Sequence, residues 1–249
     1  MEFRTAIKRE IDKNEVFVGM YHDGLVKINV EDCSSIIITG ETGTGKSILL
    51  DEILVQLIRT HTSLEMGIIP IDTSGVELNY YGDSRYSMIK AMRDKKESIV
   101  VLSKVLMEID RRKRIIKSAG YKSVRDYNQM ETRNLPFIVI AIDDDDYLLR
   151  EPDVERMITD IIQNIKNLNM LFIMATSDVH NKFFERDDNT LASVLITFDY
   201  TNDLEAKKAN IPGADDLNIG KFILKYKTSS HILNNLPFDD KIIKETLNK

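Results

Sequence analysis

The stretch GETGTGKS, residues 40–47, restricts what this chain can fold into more than any other feature. It satisfies G-x-x-x-x-G-K-[ST] without a mismatch, a pattern that needs a strand running into a helix through a glycine-rich turn. Both flanks comply. SSIIITG supplies a short apolar strand at 36–39, and 47–60 spaces Leu50, Ile53, Leu54, Leu57 and Ile58 as the inner face of an amphipathic helix. Gly40, Gly43 and Gly45 let main-chain N–H groups turn inward around phosphate oxygens, and the helix that begins there adds its positive dipole end. Glu41, Thr42 and Thr44 complete the loop, Lys46 is expected to reach the β- and γ-phosphates, and the Ser47 hydroxyl to ligate Mg²⁺. The expected ligand is ATP with Mg²⁺.

A second apolar run, PFIVIAIDDDDYLLR at 136–150, ends in four aspartates. In phosphate-loop enzymes a strand close to the loop ends in an acid that holds Mg²⁺, often followed by a carboxylate that polarises the attacking water. Asp143 takes the metal position and Asp144 the base position, so Lys46 and Asp144 are the expected catalytic residues. A divalent ion beside phosphates needs only one or two carboxylates, which leaves Asp145 and Asp146 to face solvent or a neighbouring subunit. The bland alternative is a solvated acidic turn.

Strands and helices alternate through the rest of the chain. MGIIPID reads as a strand ending at Asp72, 97–118 as a long helix stopped by Gly120, 154–167 as a helix, and LFIMAT as a strand. VLITFDY, GKFILKY and SHILNN are β-rich, as is EVFVGMYHDGLVKINVED, where Asp23-Gly24 suits a hairpin turn. The fold class is therefore α/β, a mainly parallel sheet with helices on both faces and antiparallel additions at its edges. One domain is expected over 1–249, with a hairpin lead-in at 16–32 and the core at 34–238.

Lys+Arg 34 against Asp+Glu 40 leaves a formal charge of −6, so any nucleic-acid binding has to be local rather than spread over the surface. A single cysteine, Cys33, and the absence of a signal-peptide core fit a cytoplasmic chain. Contact with the inner face of a membrane then requires a separate or upstream anchor. Four scattered histidines and one cysteine make no zinc spacing.

The series IIITGETGTGKS, IIPID, LMEIDRRKRIIKSAGYKSVRDYN, LPFIVIAIDD and LFIMATS resembles, in order and spacing, the motor domain of FtsK/SpoIIIE-type translocases, a branch of the HerA/FtsK-like phosphate-loop ATPases. The resemblance runs from about 16 to 238, and its most specific part is RRKRIIKSAGYKSVRDYN. It implies a RecA-like fold, a ring of six subunits with ATP at the interfaces, and double-stranded DNA pumped through a central channel. Related EssC-like ATPases of type VII secretion carry several such domains in one chain and move secreted substrate proteins. Lys46, Ser47 and Asp143 match the family's loop and strand-end residues. Asp144 stands where the family usually has glutamate, ATSDVH where it has ATQRP, and IDTSG where it has DPK. A base shortened by one methylene misplaces the water by about 1 Å, which costs on the order of 10²-fold in rate. The resemblance thus leaves two readings: a DNA-translocating ATPase, and a degenerate, weakly hydrolysing ATP-binding domain of a secretion motor.

Two further features have two readings each. Arg111, Arg112, Lys113, Arg114 and Lys117 either grip DNA phosphates or complete a structural helix end. Tyr80-Tyr81 either stack on adenine or pack the loop.

Overall fold

Central strands of a parallel sheet are covered on both sides, so they carry apolar residues at nearly every position. That is the pattern of SIIIT, FIVIAIDD and MLFIMAT, and all their residues are buried. The structure, a computed structural model, describes residues 2–7, 12–22, 24–72, 77–90, 95–132, 134–144, 148–178, 192–200 and 213–248. Asp23, Gly75, Asp145, Asp146 and His180 lie outside the described residues.

The described elements run α1 (Phe3–Ala6), β1 (Glu15–Tyr21), β2 (Gly24–Asn29), β3 (Ser35–Thr39), α2 (Lys46–Thr60), β4 (Met66–Asp72), α3 (Asn79–Gly82) and α4 (Lys95–Ser118). They continue with α5 (Val124–Met130), β5 (Phe137–Asp144), α6 (Pro152–Asn164), β6 (Met170–Thr176), β7 (Val194–Thr197), β8 (Lys221–Tyr226), β9 (Ser229–Asn234) and α7 (Lys241–Leu247). The sheet order is β2-β1-β9-β8-β7-β3-β6-β5-β4. From β7 to β4 every pairing is parallel; from β7 outward through β8, β9, β1 and β2 every pairing is antiparallel. The antiparallel additions are therefore gathered at one edge. At the other edge Pro70 sits within β4, where its missing N–H leaves no central ladder bond unmade.

Alternation along each strand divides the core into two layers. Ile36, Ile38, Val139, Ala141, Leu171 and Ile173 join α2 and α7 on one face. Ile37, Ile138, Ile140, Ile142, Phe172 and Met174 join α4 and α6 on the other. The expected amphipathic character of 47–60 needs correction, because α2 is buried almost all round: Asp51, Glu52, Val55 and Gln56 are covered as well as the predicted face. β1 lies over one side of the helix and α7 over another, a covering that helical spacing cannot reveal. Helices α1, α3, α5 and α7 have no counterpart in the sequence expectations, which leave 79–82 in a loop; all four are short, and α7 lies beyond the expected core boundary at 238.

The basic run resolves by position. Arg112 is fully buried, its Nε donating to Glu108 Oε1 (2.8 Å), its Nη1 to the carbonyls of Leu168 (2.7 Å) and Asn169 (3.1 Å), and its Nη2 to that of Pro136 (2.7 Å). These carbonyls precede β5 and β6, so the guanidinium clamps the amino-terminal ends of two parallel strands to α4. Arg111 pairs with Glu108, and Lys113 Nζ donates to Asn164 Oδ1 at 2.5 Å. For Arg112 the DNA-gripping reading is replaced by a structural one.

Candidate functional site

Residues 40–47 leave the carboxyl end of β3 and enter α2, the place where open α/β sheets take ligands. Gly40, Gly43 and Gly45 have φ of 146°, 84° and 110°, the left-handed region open to glycine, so the three glycines of the motif each meet a backbone need. Gly40 also answers a steric one: a Cβ there would stand 2.6 Å from Phe198 Cβ. Gly45 caps α2 without any side-chain hydrogen bond, and no acidic residue occupies the first turn. The first N–H groups of a helix lack the carbonyl one turn earlier that the later ones use, and with the helix dipole they make such an end receptive to anions.

Inside the loop, one carbonyl gathers three donors. Glu41 O accepts from Thr44 N (3.3 Å), Thr44 Oγ1 (2.7 Å) and Lys46 Nζ (2.9 Å). Lys46 is buried and curls back onto its own loop, a contact that a phosphate oxygen can replace. The Glu41 N–H in turn donates to Asp199 O at 3.0 Å, tying the loop to the chain that follows β7.

Asp143 and Asp144 end β5, as the sequence predicts, but β5 is not the immediate neighbour of β3. Strand β6 lies between them, and the register sets Thr39 opposite Thr176, Thr176 opposite Asp144, and Asp143 opposite Asp72. A row of buried polar side chains thus crosses the carboxyl-terminal edge of the sheet. Asp144 Oδ1 accepts from Leu148 N at 2.9 Å, so this carboxylate also holds the chain at Leu148. Asp178 N donates to Thr176 Oγ1 (3.1 Å), and Asp178 Oδ2 lies 3.6 Å from Arg150 Nε, a cation at this edge that the sequence reading did not single out.

Asp51 was also missed. It stands one helical turn past Ser47, is buried, and accepts a hydrogen bond from Tyr81 Oη at 2.7 Å. Burial pushes its carboxyl well above the usual range; the Tyr81 bond opposes this, while the charges of Glu77, Asp143 and Asp240 add to it. The clue in the sequence is the Asp51-Glu52 pair inside an otherwise apolar helix. Tyr81 is fully buried and packs in the core, whereas the Tyr80 ring is exposed, with Lys244 Nζ 5.1 Å from its centroid.

No group of three or more His, Cys, Asp or Glu gathers at metal-binding distance among the described residues. A hard cation here would rest on few protein oxygens and on phosphate and water, the coordination habit of Mg²⁺ rather than of Zn²⁺ or Ca²⁺. A groove of about 1170 Å³ opens at the opposite, amino-terminal edge of the sheet, away from the loop. Charges lining it pair across it, Lys13 with Glu65 (2.6 Å) and Arg125 with Glu31 (2.8 Å), and it carries none of the phosphate-loop residues.

The FtsK/SpoIIIE family model matches residues 5–187. The chain belongs to the FtsK/SpoIIIE family. DNA translocase FtsK of Campylobacter jejuni is 28% identical over 192 residues, covering 70% of this chain and 20% of the relative. DNA translocase SpoIIIE of Bacillus subtilis is 28% identical over 153 residues, covering 57% and 19%. The chain thus spans about a fifth of the length of these curated relatives. Among solved structures, the pCW3 conjugation coupling protein TcpA with ATPγS superposes with a TM-score of 0.82 at 20% identity, over 96% of this chain and 71% of that one. The cytoplasmic domain of the type VII secretion ATPase EccC of Thermomonospora curvata gives 0.77 at 17%, over 100% and 33%. These likenesses establish the fold, a mainly parallel α/β sheet with antiparallel strands at one edge. Nucleotide binding is the property that family membership carries to this chain.

Proposed function

We propose that residues 1–249 act as one motor-type ATPase domain that binds Mg·ATP and uses its hydrolysis to drive double-stranded DNA through a ring of six subunits. The observation that carries the reading is the pairing of a glycine-turned loop, without a side-chain cap, at α2 with the buried polar row that includes Asp143 and Asp144. In this reading the N–H groups of 40–47 hold the phosphates, Lys46 exchanges Glu41 O for a phosphate oxygen, and Ser47 and Asp143 hold Mg²⁺. The ion, when bound, neutralises charge on the β- and γ-phosphates. Asp144 orients the water for in-line attack, using the carboxylate oxygen that Leu148 does not engage.

A second reading, a weakly hydrolysing domain of a secretion motor that handles a substrate protein, is favoured by one observation. Asp144 is both shorter than glutamate and held by the Leu148 N–H, so its reach toward a water is limited. Turnover measured with and without duplex DNA separates the two. The DNA reading expects low basal turnover that duplex stimulates, an increase of about tenfold or more in Asp144→Glu, and loss of Mg·ATP binding in Lys46→Ala. A flat response to DNA with ATP still bound would transfer the assignment to the secretion reading.

A further inference from the structure

Strand order limits where the nucleoside end of a bound nucleotide can lie. The phosphate loop leaves β3, and Asp143 and Asp144 stand two strands away on β5, beyond β6. A triphosphate whose terminal phosphate shares a cation with Asp143 points its γ end toward β6 and β5. Its nucleoside leaves in the other direction, over β7 and the chain that follows.

Two side chains approach the loop on that side. Phe198, fully buried, forms the floor: a Cβ built on Gly45 would stand 3.5 Å from Phe198 Cε1. Asn235, the residue after β9, comes from the antiparallel half of the sheet, and its Nδ2 stands 3.7 Å from the same point. Its carboxamide is oriented by its neighbours. The Asn235 N–H donates to Gly220 O at 2.7 Å, and its Oδ1 accepts from Leu236 N at 3.0 Å. The nitrogen end is therefore the end that faces the loop. A carboxamide donates without carrying charge, which suits ribose hydroxyls and base acceptors; a lysine or arginine there would be drawn to the phosphates.

We propose that Asn235 is the nucleoside contact of this site, its Nδ2 donating to an acceptor on the ribose or base beside Gly45 and the Phe198 floor. The inference rests on the nucleotide reading above. It also makes the antiparallel half of the sheet sensitive to occupancy, because Asn235 joins β9 to the chain leading into α7.

Titration calorimetry on the full chain with Mg·ATP and with magnesium and inorganic tripolyphosphate tests it, alongside melting without nucleotide. Asn235→Ala is expected to weaken ATP roughly 5- to 10-fold and tripolyphosphate less than about 2-fold, the loss of one neutral donor. Asn235→Ser keeps an oxygen for Leu236 N but lacks the donor reach. It is expected to melt as the wild type and to lose ATP affinity as the alanine variant does. Equal losses on ATP and tripolyphosphate, or wild-type ATP affinity in Asn235→Ser, overturn the proposal while leaving the phosphate-loop reading intact. Absence of Mg·ATP binding by the wild-type chain takes both down.

Discussion

The two ends of the parallel sheet bury charge in opposite ways. At the amino-terminal end, Arg112 spends its donors on one carboxylate and three carbonyls, and every contact is within hydrogen-bond distance. Beside the loop at the carboxyl-terminal end, among the described residues, α2 holds Asp51 on a single tyrosine bond and Glu52 with neither carboxylate oxygen hydrogen-bonded. Gln56, one turn further along α2, shows that the helix can satisfy a buried polar group: it accepts from Phe17 N (2.8 Å) and donates to Phe17 O (2.9 Å), beside the irregular register of β1. A buried network with all partners in place rigidifies a fold, whereas a partly satisfied one costs stability. The two ends thus differ in how their buried charge is satisfied, fully at Arg112 and only in part along α2.

The largest expected effect breaks the satisfied end. Arg112→Ala leaves three buried carbonyls without this donor and Glu108 with Arg111 alone, and should lower unfolding free energy by about 3–5 kcal/mol in denaturant melts. Arg112→Lys should recover only part, because an ammonium cannot span the fork of acceptors. A loss under about 1 kcal/mol in the alanine variant would mean that Arg112 does not clamp the strands.

The next effect sharpens the contrast from the other end. Burial, with the charge of Asp51 adding to it, pushes the Glu52 carboxyl from 4.5 up to about 9. The folded state then holds one more proton than the unfolded state between these values, so stability is full below about 4.5 and falls as pH rises toward 9, by roughly 1.4 kcal/mol per pH unit. Glu52→Gln should flatten that slope between about pH 6 and 8, and gain roughly 2–3 kcal/mol at the upper end. Parallel slopes in the two proteins would show that Glu52 is not held neutral.

The smallest expected effect lies next to Arg112 in sequence. Arg111 is half exposed and pairs with Glu108 at 2.6 Å, so Arg111→Ala should change stability by less than about 0.5 kcal/mol. If the same variant instead reduced duplex-DNA affinity and its salt dependence, the basic helix would regain a DNA role for its exposed positions.

Much of the candidate site is legible in the sequence because its parts are local. The glycines of 40–47 specify their own backbone, and Asp143 and Asp144 end a strand whose apolar run is visible in the sequence. Asp51, Arg150 and Asn235 were illegible for a different reason. Each gains its meaning from a partner distant along the chain: Tyr81 for Asp51, Asp178 for Arg150, and the turn at Gly45 for Asn235. The same holds for Arg111 and Arg112, adjacent basic residues of which one is surface and the other core.

By itself the sequence determined the α/β alternation, the phosphate-type loop and the acidic strand tip, since hydrophobic period and glycine placement act over a few residues at a time. Tertiary structure alone decided that β6 separates the loop strand from the acidic one, that the antiparallel strands gather on the β7 side, and that Asn235 reaches the loop. Strand order and side-chain partners depend on which distant surfaces bury each other best, and that free energy is shared across the whole sheet rather than written into any one segment.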